Sequence, residues 1–285
     1  MAALYTSSFL YRQYNLSEAN FMGTTPAPRR DLALFLGGPG LFTLASVWLY
    51  QVHPWPAPIP AQGAVMQWAI AAPFLLAGAL GVWLAPRIGC PSAPALNNGR
   101  AWGVLLGLSI GLGFLLGAEG LFLAEWPPSA HQYDLIARQS GIGAITTWVN
   151  VGLPWSIPHY FAAGVLLECL YRLAPIPVLV WLVSSVCFRG RWQGRTYWTV
   201  ATLAAAQEPL LWLAGIVHGP LPLATSLFVA FNQLQSFAIN LLEAAGLRRF
   251  GWPATIAFRI AYYAAARVFL PYLLSPHAVS YPGPH

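Results

Sequence analysis

The sequence predicts an all-α protein, a polytopic bundle of transmembrane helices that forms a single integral membrane domain over residues 1–285. Two observations carry this prediction. The chain is 57% hydrophobic and only 8% charged, whereas about 25% of the residues in an average soluble domain are charged. It also contains several apolar runs of the roughly 20 residues that a helix needs to cross the hydrocarbon core. This composition excludes a water-soluble globular fold, a disordered chain and a nucleic-acid-binding protein.

Seven spans account for the apolar runs, or eight if residues 143–156 also cross the membrane. Six runs are uninterrupted and lie at 32–52, 64–85, 101–124, 196–217, 221–243 and 252–274. The remaining apolar stretch, 143–188, contains four prolines, Pro154, Pro158, Pro175 and Pro177. Because proline removes a backbone donor and breaks helices, we expect one proline-broken spanning helix there. The segment near 143–156 that precedes it is re-entrant, interfacial or an eighth span.

Arginine residues are concentrated in every second connection between these spans. All 14 basic residues are arginine, which excludes a retinal Schiff base and a phosphate-binding P-loop because both need lysine. Nine of them fall in connections on one side, namely Arg29, Arg30, Arg87, Arg100, Arg189, Arg191, Arg195, Arg248 and Arg249. Because cytoplasmic loops collect positive charge, we expect residues 1–30 in the cytoplasm and the C-terminus outside. Residues 1–30 lack an apolar h-region, so we expect no cleavable signal peptide.

Cysteine and histidine positions give no sign of a metal or cofactor site. Cys90, Cys169 and Cys187 lack CxxC or metal-ligand spacing. All six histidines fall on the outer side in this topology, and no two of them are four residues apart. We expect these histidines to be solvated at helix ends and in loops, and we expect neither a bound metal nor a cofactor.

The third span carries glycines at four-residue spacing, at Gly103, Gly107 and Gly111 and again at Gly113 and Gly117. Small residues at this spacing let two helices approach closely. We therefore expect this helix to be central and tightly packed.

Polar residues inside the C-terminal spans align along single helix faces. Each ionisable group there is costly in hydrocarbon, so it has to face protein or a wet cavity. Glu168 and Arg172 are four residues apart on the proline-broken helix and can pair. The other residues that we expect to line a shared polar cavity are Gln207, Glu208, Asn232, Ser236, Asn240, Glu243, Arg259, Tyr263 and Arg267. Such a cavity either holds the helices together or binds a ligand, and Glu119 of the third span fits either use.

Two segments resemble the CPBP family of intramembrane proteins, which includes the type II CAAX prenyl endopeptidases. The segment 167–172, Leu-Glu-Cys-Leu-Tyr-Arg, is similar to the family's EExxxR motif with only the second glutamate kept. The segment 246–254 is similar to the glycine, basic loop and Trp-Pro-Ala that begin the family's last catalytic helix. The resemblance covers residues 164–274 and implies an inner or plasma membrane of bacterial type. It puts Glu168, Arg172 and Glu208 at or near catalytic positions.

The chain departs from the family pattern where peptidase chemistry needs side chains that can activate water. The first glutamate is Leu167, the FxxxH histidine is Gln207 or Glu208, and the HxxxN pair is Phe258 and Tyr262 or Arg259 and Tyr263. We therefore expect a non-catalytic or chemically altered member of this fold. It would bind a lipid, a prenyl chain or a transmembrane peptide, or assist another membrane protein complex.

Two other functions stay open. One is an active intramembrane endopeptidase in which Glu168 and Glu208 form the acid/base pair. The other is a transporter, or a subunit of a pigment or redox complex, which rests only on polar residues within the spans. Membrane lipids are expected partners in every case, and nucleic acid is not.

Overall fold

A computed structural model describes residues 27–54, 66–94, 98–125, 132, 135, 151, 153–216 and 221–274. Seven helices and no strand occur within these residues. The helices follow the predicted apolar runs, because a helix satisfies its backbone N–H and C=O groups within one segment, as a bilayer requires. The predicted all-α class therefore holds for the described residues.

The first three helices end at or near the predicted connections. Helix α1 runs without interruption through Ala27–Phe35, a π turn at Leu36–Gly40, and Leu41–Val52. Helix α2 is Trp68–Leu84, extended by a 3-10 turn at Ala85–Ile88. Helix α3 is Gly99–Glu125.

The four remaining helices carry the candidate site. Helix α4 combines Ser156–Glu168, a π turn at Cys169–Leu173, Pro175–Val180 and a second π turn at Trp181–Cys187. Helix α5 is Gln193–Ile216, and helix α6 is Leu223–Phe250. Helix α7 begins at Trp252–Tyr263 and continues through a π turn at Ala264–Phe269 to Leu270–Leu274.

Four of these helices are long and apolar enough to cross a membrane. Their spans are Pro28–Val52, Trp68–Ile88, Gly99–Glu119 and Ser156–Cys187, within α1 to α4. Helices α5, α6 and α7 are less apolar along their course. Length and composition thus support a membrane protein with four transmembrane helices in the described residues, and the other three predicted spans stay a prediction.

Helix α4 is broken as its prolines predict. Pro158 lies in the first turn, where the missing N–H has no helical partner to lose. Further along, the N–H of Ala174 bonds to Cys169 O at 3.0 Å across a π turn, and Pro175 begins the next α turn. Residues 143–150 of the predicted preceding segment lie outside the described residues.

Close contacts at small residues fix the direction of α2 relative to α4. A Cβ atom at Gly78 would overlap the side chain of Cys169, and one at Gly81 would overlap the carbonyl of Leu173. The later residue of α2 thus contacts the later residue of α4, so the two helices run in the same direction. Pro177 has no N–H to offer that Leu173 carbonyl, and Gly81 leaves room for it.

Helix α3 packs closely along one side, but it is not the central helix that its glycines predict. Its Gly113 and Gly117 do pack against the backbone of α7, where an added Cβ would overlap the carbonyls of Phe258 and Tyr262. Gly103 and Gly107, however, have nothing within 4 Å, and only 17% of the span is buried. The spacing predicts close packing for both glycine faces equally, but among the described residues only one of them meets another helix.

The helix ends that carry arginine lie together. The Arg248 guanidinium donates to Ile88 O at the end of α2, and that of Arg30 donates to Ala93 O. Gln193 Nε2 at the start of α5 donates to Arg87 O at 3.0 Å. We call this end of the bundle the arginine end, and it carries the nine arginines named above. These contacts bring together the helix ends that carry arginine, whereas the number of crossings and the side of the membrane that the arginine end faces stay predictions.

His159 departs from the expectation that the histidines are solvated. Because α4 already begins at Ser156, His159 falls within the helix. It is 1% exposed, and its ring meets the edge of Tyr160 at 5.0 Å between centroids. His53 is exposed, and the other four histidines lie outside the described residues.

Candidate functional site

A cluster of charged side chains lies between α4, α6 and α7. It consists of Glu168 and Arg172 from α4, Asn240 and Glu243 from α6, and Arg259 from α7, and we call it the ion cluster. None of the five residues is more than 4% exposed. Buried charges of this kind are tolerated only where they are paired and hydrogen-bonded.

Arg172 joins α4 to α6. Its Nη1 lies 2.5 Å from Oε1 of Glu168 one turn earlier, so the predicted pair is confirmed. Its Nη2 forms an ion pair with Glu243 and donates to Oδ1 of Asn240. Its Nε reaches Asn240 O at 3.4 Å.

Arg259 repeats these contacts from the opposite side. Its Nε lies 3.1 Å from Oε1 of Glu168, and its Nη2 lies 2.7 Å from Oε2 of Glu243. The same Nη2 donates to Oδ1 of Asn240 at 3.2 Å. Each guanidinium therefore bridges both carboxylates, so the ion cluster is a closed ring of two positive and two negative groups.

A proline in α5 explains why Asn240 stands in the middle of this ring. Pro209 has no N–H, so the carbonyl of Ala205 four residues earlier loses its helical donor. Asn240 Nδ2 supplies a replacement, donating to Ala205 O at 3.2 Å. The amide thus satisfies α5 with its nitrogen, while its oxygen accepts from both guanidiniums.

Glu208 extends the ion cluster toward the surface. Its side chain is 32% exposed, and its Oε2 lies 3.8 Å from Nη2 of Arg259. With Glu208 there are three carboxylates for two guanidiniums, so the fully ionised cluster carries one surplus negative charge. Among the described residues, Glu208 Oε2, Glu168 Oε2 and Glu243 Oε1 are buried carboxylate oxygens with no hydrogen-bond donor.

Of the other predicted cavity residues, some surround the ion cluster and some do not. The Tyr263 ring lies 5.8 Å from Cζ of Arg259, and Gln207 is half-buried beside Glu208. Asn232 donates at 3.0 Å to Phe228 O of its own helix. Ser236 is half-buried on α6. Arg267 lies further along α7, where it interacts electrostatically with Tyr160, Tyr262 and Tyr263.

A second polar contact lies between α3 and α6. Gln235 Nε2 donates to Oε2 of Glu119 at 2.5 Å. Both side chains are half-buried, so this contact is separate from the buried ring. Glu119 was a candidate from its position alone, and Gln235 lies within the predicted polar stripe of α6 but was not singled out.

The ion cluster is poorly arranged for the chemistry of a water-activating carboxylate. A general base has to reach the water whose proton it takes. Glu168 is fully buried, and its Oε1 is held by both guanidiniums. Among the described residues, no group of three or more His, Cys, Asp or Glu side chains is placed to hold a metal ion.

Comparisons of the chain with protein-family models, with curated proteins and with solved structures give no match. The resemblance to the CPBP family therefore depends on the two motif segments alone.

Proposed function

We propose that this chain is a seven-span integral membrane protein without peptidase activity, and that it binds a transmembrane segment of a partner protein beside Glu208. The observation that carries the proposal is the third, half-exposed carboxylate on a cluster that is otherwise neutral and closed. The exposed part of a charged carboxylate is costly where it faces hydrocarbon. A partner helix that brings a cation or an N–H donor would remove that cost.

The surplus negative charge selects among the ligands that the sequence leaves open. A lipid phosphate would be repelled by Glu208, and a prenyl chain has no donor to offer its carboxylate. A transmembrane helix with a central Lys, Arg or amide side chain has both the donor and the apolar surface. Ser236 on α6 is another half-buried polar residue, and such residues can hydrogen-bond to a neighbouring transmembrane helix.

Peptidase activity is disfavoured by the same geometry. Glu168 is fully buried, so its carboxylate would have to become exposed before it could reach a water molecule from bulk solvent. In this proposal, the resemblance to the CPBP family extends to the helices that carry the motifs but not to the family's peptidase activity.

Helices α5 to α7 cross the membrane in this proposal, because the ion cluster joins α6 and α7 to α4, whose own span is 32 residues long. Reporter fusions test the topology. A fusion after Arg191 should report the cytoplasm, and a fusion after His285 should report the outer side. Reports from the same side for both fusions would contradict an odd number of spans after α4.

Binding is tested with the full-length protein in lipid vesicles and with two labelled polyleucine transmembrane peptides, one with a central Lys and one without. Energy transfer between protein and peptide measures association. We expect the Lys peptide to bind about tenfold more tightly, since a hydrogen bond to a charged group contributes about 1.5 kcal/mol. Glu208→Gln should abolish the preference, whereas Glu119→Gln, another half-buried carboxylate, should preserve it.

Equal binding of both peptides by the unchanged protein would refute the proposal. Cleavage of either peptide that is lost in Glu168→Gln would instead establish the endopeptidase alternative. Product analysis of the same vesicles by mass spectrometry distinguishes these outcomes.

A further inference from the structure

A cavity at the arginine end is independent of the ion cluster. It has a volume of about 480 Å³, within the roughly 300 to 1,000 Å³ of small-molecule sites. Its walls come from the connection after α2, the first turns of α3 and the last turn of α6. The lining residues on which its chemistry depends are Ser92, Asn98, Arg100, Val104, Arg249 and Phe250.

Two cations face this cavity without an anion to balance them. Arg100 and Arg249 are exposed, and in the described part of the chain neither guanidinium forms a hydrogen bond or an ion pair. The acidic residue described at this end, Asp31, is 1% exposed and lies 3.6 Å from Arg30. Two planar guanidinium groups lining one cavity suit the oxygens of a phosphate group.

The opposite side of the cavity is apolar and continues along α3. Val104 is 54% exposed and Phe250 is 38% exposed. Gly107 and Gly111 follow Val104 by three and seven residues, so they lie on the same side of the helix. Neither glycine has anything within 4 Å. A shallow groove without side chains therefore leads from the two arginines along the apolar surface of the helix.

We propose that this cavity binds an anionic phospholipid, with its phosphate between Arg100 and Arg249 and one acyl chain along the Gly107 side of α3. A free phosphate ion would satisfy the arginines but leave Val104 and Phe250 uncovered. A zwitterionic lipid would place an ammonium group where no carboxylate among the described residues receives it. Basic pockets between transmembrane helices bind lipid headgroups in this way.

The test uses the delipidated full-length protein in detergent, titrated with phosphatidylglycerol or phosphatidylcholine of the same acyl chains. Native mass spectrometry measures the lipid that stays bound. We expect phosphatidylglycerol to be retained preferentially. Each arginine near an anionic group contributes about 1 kcal/mol, so Arg100→Gln and Arg249→Gln should each weaken it about fivefold.

Two further variants test whether binding depends on this cavity and whether the ligand is a lipid or a free phosphate ion. Arg195 lies at the arginine end but outside the cavity, so Arg195→Gln should leave phosphatidylglycerol binding unchanged. Gly107→Phe places a ring on the groove side of α3, where an added Cβ has nothing within 4 Å among the described residues, and it should weaken lipid binding. Excess inorganic phosphate should not displace the lipid.

Equal retention of the two lipids would overturn the proposal, as would equal losses for Arg195→Gln and Arg249→Gln. Displacement by inorganic phosphate together with full binding to Gly107→Phe would identify a free phosphate site and would also overturn it. Circular dichroism of each variant establishes that the helices are intact before binding is compared.

Discussion

Replacing Arg172 with Met tests the ion cluster most directly, because Met keeps much of the apolar stem and removes only the charge and its donors. Arg172 contacts the carboxylates of Glu168 and Glu243 and the amide of Asn240. A hydrogen bond to a charged group contributes about 1.5 to 3 kcal/mol, so the two carboxylate contacts together predict a loss of about 3 to 6 kcal/mol. That agrees with the roughly 3 to 5 kcal/mol cost of breaking a buried pair. A neutral interhelical hydrogen bond would cost only about 0.6 kcal/mol.

The loss of unfolding free energy should also depend on the carboxylate that becomes unpaired when Arg172 is replaced. Adding Glu243→Gln leaves one carboxylate, Glu168, opposite Arg259 in the buried ring. The double variant should therefore recover at least about 1 kcal/mol relative to Arg172→Met, a coupling typical of side chains in one network.

Unfolding by denaturant in detergent micelles, followed by tryptophan fluorescence, measures the free energy of unfolding for each variant. Arg195→Met, an exposed arginine, serves as the control and should stay within about 0.5 kcal/mol of the parent. A loss of less than about 1 kcal/mol for Arg172→Met would refute the reasoning. So would a double variant whose loss equals the sum of the two single losses.

Two other predictions concern packing and thiol reactivity. Gly113→Leu should lower the free energy of unfolding by more than about 2 kcal/mol, because its side chain would meet the backbone of α7. Gly103→Leu, where an added Cβ has nothing within 4 Å, should not lower it in the same assay, because Leu favours the helix more than Gly does. Maleimide at about pH 8 should label the exposed Cys187 and spare Cys90, because burial raises the pKa of the Cys90 thiol to about 12 and only the thiolate attacks. Raising the pH to about 10 should still leave Cys90 largely unlabelled, and similar labelling of both cysteines by mass spectrometry would contradict the buried position of this loop.

The positions of the helices could be predicted because each one follows an apolar run of the sequence, although only α1 to α4 are long and apolar enough to cross a membrane. Their ends could not. Helix α6 continues to Phe250, seven residues beyond the predicted end of its span, and keeps Arg248 and Arg249 in its last turn. Backbone hydrogen bonding extends past the point where the side chains become polar, so hydropathy underestimates helix length.

The candidate site could be predicted in part, because helical spacing determines which residues share a face. This is how Glu168 is paired with Arg172 from the sequence alone. Spacing contains no information about which faces meet, so the bridging role of Arg259 and the contact between Glu119 and Gln235 depend on the tertiary structure.

Pro209 was the one available signal for the position of Asn240. A proline inside a span frees the carbonyl four residues earlier, and in a membrane that carbonyl needs a donor from another helix. The sequence offers several polar side chains on α6, and only the packing of α5 against α6 selects Asn240.

The one-residue connection at Gly251 between α6 and α7 has a consequence for how the protein enters the membrane. A charged side chain near the centre of a lone helix costs about 2.5 to 3.5 kcal/mol during insertion. Glu243 and Arg259 stand 16 residues apart on either side of this connection, and they meet at 2.7 Å. Inserted one after the other, α6 and α7 would each bear that cost, whereas a hairpin arriving as a unit carries its charges already neutralised. In the proposed seven-span topology, the tight turn therefore makes α6 and α7 a single unit for the insertion machinery.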